Sequence, residues 1–214
     1  TAAAQHSSER PKLLSEARQM LLVVTGGWDT IDGNLQRYER DDNKSPWQIS
    51  GASIPVVVGK SGMAWGRLRD ATSDDAPVKR EGDGKSPAGV FAIGTAFGTA
   101  KDTADAVSLH FRYLSDNVEC VDDPHSRHYN QLVTHKPLLK PDWKSSEKMW
   151  EVPGYKAGAV IEFNTNPVSP GAGSCIFLHI WDGPDKGTAG CTAMDEKNLM
   201  DTLSWLDPKR KPVI

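Results

Sequence analysis

Short apolar runs, cut by clusters of Gly, Pro, Asp and Asn, set the rhythm of this chain. Met20-Leu21-Leu22-Val23-Val24-Thr25, ended by Gly26-Gly27, predicts a strand, with residues 35–39 as its hairpin partner. Ile54-Pro55-Val56-Val57-Val58-Gly59 predicts another, with Pro55 near its start or on an edge, because proline cannot donate to a ladder. Residues 90–93, 118–121, 131–133, 159–163 and 176–180 read as further short strands. Asp41-Asp42-Asn43-Lys44 is turn chemistry. Helical signals are few. Ser8-Glu9-Arg10-Pro11 opens a short helix, and Ser145-Ser146-Glu147-Lys148-Met149 predicts a second. A third lies near the C-terminus, with Asp195 as cap, Leu199, Leu203 and Leu206 on one face, and Pro208 as its stop. The close spacing of strands and turns favours an antiparallel β-sandwich or barrel over repeated βαβ units. The expected fold is therefore mainly β with a few short helices. Residues 1–19 read as an N-terminal extension to a single domain over 20–214.

Composition narrows the classes. Of 214 residues, 38% are hydrophobic, enough for a core. No run approaches the roughly 18 apolar residues of a membrane span. The formal net charge of -3, with acids and bases interspersed, argues against a nucleic-acid surface, which shows a basic stripe. The chain opens on Thr1 without a methionine or a signal peptide; a processed mature end and a tag remnant both fit. Three cysteines are present, Cys120, Cys175 and Cys191. Cys120 and Cys175 fall in strand-like runs and Cys191 in a glycine-flanked loop. One bridge with Cys191 free, or three reduced core thiols, both satisfy that pattern.

The chemistry concentrates near the C-terminus. His179 sits within Phe177-Leu178-His179-Ile180-Trp181, a run that reads as a buried strand and would hold an imidazole rigidly. Gly187-Thr188-Ala189-Gly190-Cys191-Thr192 follows, with small residues that leave room for a substrate backbone and free main-chain N–H groups for an oxyanion. A thiol becomes a strong nucleophile when an imidazole takes its proton. The order His then Cys argues against papain-like hydrolases, and the plain alternative is a core histidine with a loop cysteine. Gly84-Lys85-Ser86 resembles the end of a P-loop, but Lys79 stands where the first glycine belongs, so nucleotide binding is dismissed. Lys79 to Ser86 reads as a charged turn, with Arg80 as a candidate clamp for a substrate carboxylate. Trp181 is a candidate substrate platform or a structural tryptophan. His125 and His128, near Asp122 and Asp123, lack the matched pairs of a metal site and read as loop histidines, so no metal is expected.

Thr188-Ala189-Gly190-Cys191-Thr192-Ala193-Met194 after a strand-borne histidine resembles the signature of the L,D-transpeptidase (YkuD-type) family. Gly62-Met63-Ala64-Trp65-Gly66, Lys79 through Phe91, Cys120-Val121-Asp122-Asp123-Pro124 and Gly171 through Trp181 resemble its ErfK/YbiS/YcfS/YnhG-like branch. The resemblance runs from about residue 50 to the C-terminus. It implies a mostly β catalytic domain, exported to the periplasm or cell surface, acting on peptidoglycan stem peptides without a cofactor. It implies Cys191 as nucleophile, His179 as base, the Ile180 carbonyl as the acceptor that orients the imidazole, and main-chain N–H groups at Gly190 and Cys191 for the oxyanion. It also implies acylation of Cys191 by carbapenems. Two features depart from the commoner pattern: the His-to-Cys loop is short, and Met194 stands where many members carry an arginine. The readings left open are cross-linking, an L,D-carboxypeptidase reaction, a non-catalytic peptidoglycan-binding module, and an ordinary cysteine peptidase.

Overall fold

A computed structural model describes residues 9–66, 76–135 and 140–214. The apolar run at its start forms β1 (Gln19–Thr25), which pairs antiparallel with β2 (Asp32–Glu39). The chain continues through β3 (Gln48–Ile49), β4 (Ile54–Val57), β5 (Met63–Trp65), β6 (Ser86–Ala88), β7 (Ile93–Gly98) and β8 (Phe111–Tyr113). Then come β9 (Val118–Val121), β10 (Leu132–Thr134), β11 (Ser146–Lys148), β12 (Ala157–Ile161), β13 (Phe177–Ile180) and β14 (Thr192–Met194). The helices are α1 (Glu9–Glu16), α2 (Lys101–Ala106) and α3 (Glu196–Trp205).

Among the described residues, the principal sheet runs β1-β2-β4-β14-β13-β12-β7-β8, with β3 alongside β2. It curls into a half-barrel. A second sheet, β10-β9-β11, is antiparallel. Most pairs are antiparallel, but β13 runs parallel to β14, β7 to β8 and β5 to β6.

The principal sheet buries both faces, and alternation along β13 shows why. Leu178 packs with Met194, Ile161 and the α3 residues Leu199 and Leu203 in one core. Its neighbour Phe177 packs with Phe97, Tyr155, Cys120, Cys175 and Cys191 in a second core, under the small sheet. Side chains alternate across a strand, so His179 shares the face of Phe177.

Three local expectations need correction. Residues 146–148 form β11 rather than a helix, and a 3-10 turn follows at Met149–Glu151. Pairing of Ser146, Glu147 and Lys148 with Val121, Cys120 and Glu119 overrides their helical preference. The strand expected from residue 90 starts at Ile93, because Phe91 instead exchanges backbone hydrogen bonds with Ile214. Helix α3 is capped by Asp195 as expected, but it ends at Trp205 before Pro208, which opens a 3-10 turn of its own. Within the segment read as an N-terminal extension, Ala17 is fully buried, and the Arg40 guanidinium donates to the carbonyls of Leu14, Ser15 and Ala17.

Candidate active site

Parallel pairing of β13 and β14 brings the histidine and the cysteine onto one face. Leu178 is level with Thr192 and His179 with Ala193, so Cys191 lies beside Phe177. Strand rise and spacing then put the Cα atoms of His179 and Cys191 about 8 Å apart on the diagonal. The His179 ring is fixed by a hydrogen bond of 2.7 Å between Nδ1 and the Ile180 carbonyl. With Nδ1 as the donor, Nε2 is the basic nitrogen. Gly154, in the 3-10 turn Pro153–Lys156, lies against this pair; a Cβ there would run into the Ile180 carbonyl oxygen and stand 3.0 Å from Nδ1.

The Cys191 sulfur accepts from the Phe177 N–H at 3.3 Å and donates to the Cys175 carbonyl at 3.5 Å. Among the described residues, it makes no hydrogen bond to His179. It is 4% exposed. Burial, and then the charge of Glu147, push the thiol up to about 12, against the Phe177 N–H, the Tyr155 hydroxyl and Lys79. Burial also lowers the His179 pKa, opposed by its bond to Ile180 and by Asp182. The resting pair at neutral pH is therefore a neutral thiol and a neutral imidazole.

The nucleophile loop is held by residues from distant parts of the sequence. The buried Ser86 hydroxyl lies 2.8 Å from the Gly190 carbonyl and 2.9 Å from that of Cys191, and accepts from the Gly59 N–H at 2.9 Å. The Thr188 hydroxyl donates to the Cys191 carbonyl at 2.6 Å. Asp83 organises the preceding turn, accepting from the N–H groups of Arg80 and Lys85 and from Lys79 Nζ. The stretch from Lys79 to Ser86 thus works as a brace for the cysteine loop. Cys175, whose carbonyl meets the thiol, is bridged to Cys120 and held at φ +55° with its N–H on Asn130.

The residues singled out from sequence fare unequally. Gly190 offers its N–H to Thr188 Oγ1 at 3.1 Å, so in this state it is engaged and not open to an oxyanion. Arg80 has an exposed side chain, whereas the cation among the charges acting on the thiol is the buried Lys79. Trp181 is half-buried, with its backbone N–H on the Met194 carbonyl. Met194 is fully buried in the α3 core, on the face away from the sulfur. His125 pairs with Asp123 at 3.2 Å and His128 packs edge-on against Trp143. Among the described residues no cluster of His, Cys, Asp and Glu is suited to a metal ion.

Tyr155 and Glu147 escaped the sequence reading. The Tyr155 ring packs edge-on against His179 at 5.1 Å and Phe177 at 5.4 Å, and its hydroxyl donates to Glu147 Oε2 at 2.8 Å. The one available signal was a tyrosine following Pro153-Gly154, which is too common a turn to point at a thiol.

Residues 31–214 match the profile of YkuD, the L,D-transpeptidase catalytic domain. The chain belongs to that family. No curated protein and no solved structure matches it. L,D-transpeptidase domains of this family act on peptidoglycan and serve cell-wall biogenesis. Among the described residues, no helix is long and apolar enough to cross a membrane. A cavity of about 660 Å³, lined by Leu21, Trp28, Trp65, Phe91, Ile176 and Thr192 among others, lies on the opposite face of β13 and β14 from the sulfur.

Proposed function

We propose that this domain is a peptidoglycan L,D-transpeptidase with Cys191 as nucleophile and His179 as base. The reading rests on one observation above others: the Nδ1 bond to the Ile180 carbonyl leaves Nε2 basic on the face that carries the sulfur. His179 takes the thiol proton as sulfur attacks the carbonyl between the L-centre of a diamino acid and a terminal D-alanine. The C–N bond breaks, the imidazolium gives its proton to the departing D-alanine amine, and a thioester remains on Cys191. An amine of a second stem peptide then attacks that thioester and restores the thiol. With water as acceptor, the same steps make an L,D-carboxypeptidase. Since Gly190 is engaged with Thr188, the Cys191 N–H is the better oxyanion donor. The sulfur is buried, so a substrate must displace the side chains over it. A disulfide beside the site fits an extracytoplasmic, oxidising location.

Mass spectrometry of muropeptides incubated with the protein reports both reaction and substrate. Wild type should release D-alanine and form a cross-linked or shortened stem, and Cys191→Ala should release none. Turnover retained in that variant overturns the assignment. Stem-peptide binding with no D-alanine release by wild type would mark a non-catalytic wall-binding module instead. A carbapenem should add covalently to Cys191, read by intact mass.

A further inference from the structure

The cavity behind β13 and β14 is walled by main chain. Residues 21–25 of β1 line it without a break, and so do residues 87–91 across from them. Side chains alternate along a strand, so an unbroken run lines a cavity only where the strand's edge faces it. β1 is an edge strand of the principal sheet, with β2 on its other side. The space is therefore a slot between two lengths of backbone.

One end of the slot already holds a strand. Val213 lies parallel to Met20 on one side and antiparallel to Ala92 on the other. The Leu21 N–H donates to the Val213 carbonyl and the Val213 N–H to that of Gln19, while Phe91 and Ile214 exchange bonds at the far wall. The walls there stand two strand spacings apart, about 9.5 Å. Ile214 also lines the cavity, so the slot continues along the course of residues 212–214. Gln19 and Leu21 point at Val213, and every second residue of β1 points the same way. The Leu21 carbonyl, both main-chain groups of Val23 and the Thr25 N–H thus face the slot, and none has a partner among the described residues. The described residues lining the cavity carry no charged side chain. Leu22 and Val24, on the outer face of β1, are 41% and 56% exposed.

We propose that this slot is a docking site for an extended, apolar segment of a partner polypeptide, which adds as one strand parallel to β1. Three observations select that occupant. Unpaired N–H and C=O groups in ladder spacing suit another main chain, whereas an acyl chain would leave them unsatisfied. Walls on both sides admit a strand with two free edges, which an unfolded segment has and the edge strand of a second folded copy lacks. The uncharged lining suits apolar side chains and not the carboxylates of a stem peptide, so the slot is separate from the Cys191 face. A strand on the course of residues 212–214 sends alternate side chains inward onto Ile161 and Ile176, as Val23 and Ile214 already do onto that core. Its other side chains lie beside Leu22 and Val24.

The test uses the whole chain and amide hydrogen exchange read by NMR. In the free protein the N–H groups of Val23 and Thr25 should exchange fast, and those of Leu22 and Val24, bonded to β2, slowly. The probes are three soluble seven-residue peptides in which valine, leucine or phenylalanine alternates with threonine. At about 1 mM, at least one should bind by fluorescence anisotropy and slow exchange at Val23 and Thr25 about tenfold, which corresponds to about 90% occupancy. The same peptide N-methylated at alternate residues should bind at least tenfold more weakly. Val23→Pro, suited to an edge whose N–H faces outward, should weaken binding as much. The methylated peptide needs no variant, so the test stands even if the proline variant fails to fold. Binding by none of the three, or binding that leaves Val23 and Thr25 exchange unchanged, overturns the proposal. So does equal affinity of the methylated peptide, which marks mere apolar attraction. Exchange at Val23 and Thr25 that is slow in the free protein overturns it too: with dependence on protein concentration it marks a second copy, without it a chain that fills its own slot. Dodecanoate bound where no peptide binds would mark an acyl-chain site instead. D-alanine release enters none of these readings, so this proposal and the catalytic assignment fail separately.

Discussion

Replacing Ser86 by alanine tests whether the brace from Lys79 to Ser86 is what holds the nucleophile. The substitution removes one buried hydroxyl and leaves the Gly59 N–H and the Gly190 carbonyl without the partners they had at 2.9 and 2.8 Å. The Cys191 carbonyl keeps the Thr188 hydroxyl at 2.6 Å. An unsatisfied buried polar group costs about 1–3 kcal/mol, so two cost about 2–6 kcal/mol. In a domain of this size each kcal/mol moves the melting temperature by about 2–4 °C, so Tm should fall by roughly 5–20 °C. The cysteine loop should also loosen, and Cys191 should label faster with iodoacetamide than in wild type at the same pH. The assay is thermal or urea unfolding under non-reducing conditions, paired with the labelling rate. A loss below about 1 kcal/mol with an unchanged labelling rate would refute the reasoning, because it would mean that other groups already satisfy those backbone atoms.

Gly154→Ala should push a methyl against the Ile180 carbonyl and the His179 ring. Overpacking of this kind costs about 1–3 kcal/mol, and D-alanine release should fall far more than unfolding stability does if the imidazole is displaced. Removing the Cys120–Cys175 bridge by a double change to alanine should cost about 4 kcal/mol in unfolding measurements, since it frees a loop with a sequence separation of 55; a loss under about 1 kcal/mol would count against it. Glu147→Gln should also change stability with pH. Folding raises the Glu147 pKa from 4.5 to about 7, so wild type holds the extra proton in that window and loses stability as pH rises through it. The variant does not titrate, so its stability should equal or trail wild type near pH 4.5 and exceed it by about 1–3 kcal/mol at pH 8 in urea melts. An advantage that instead grows toward acid pH would reverse the sign.

Much of the strand content was legible because apolar runs and Gly/Pro breaks are local signals. β1, β9 and β13 lie where those runs are, and Asp195 caps α3 as its side chain predicts. Residues 146–148 misled because helix preference is local, whereas their pairing with β9 is made across more than twenty positions of chain. The histidine and cysteine could be named as candidates from their settings and their order. Their shared face could not, since it depends on β13 and β14 running parallel. Arg80 drew attention as an exposed guanidinium in a turn, while its neighbour Lys79 became the buried cation near the thiol because Asp83 and the Arg80 carbonyl hold its Nζ inside.

The amino-acid order alone determined a β-rich chain, a strand-borne imidazole followed by a thiol in a small-residue loop, and a likeness to the family to which the chain belongs. Tertiary structure alone decided that Ser86 braces that loop, that Cys175 faces the sulfur from a bridge to Cys120, and that Tyr155 packs on the His179 ring while donating to Glu147. The reason is physical: periodicity along a strand fixes which side chains share a face, but the groups opposite that face arrive from other strands, and only packing brings them there.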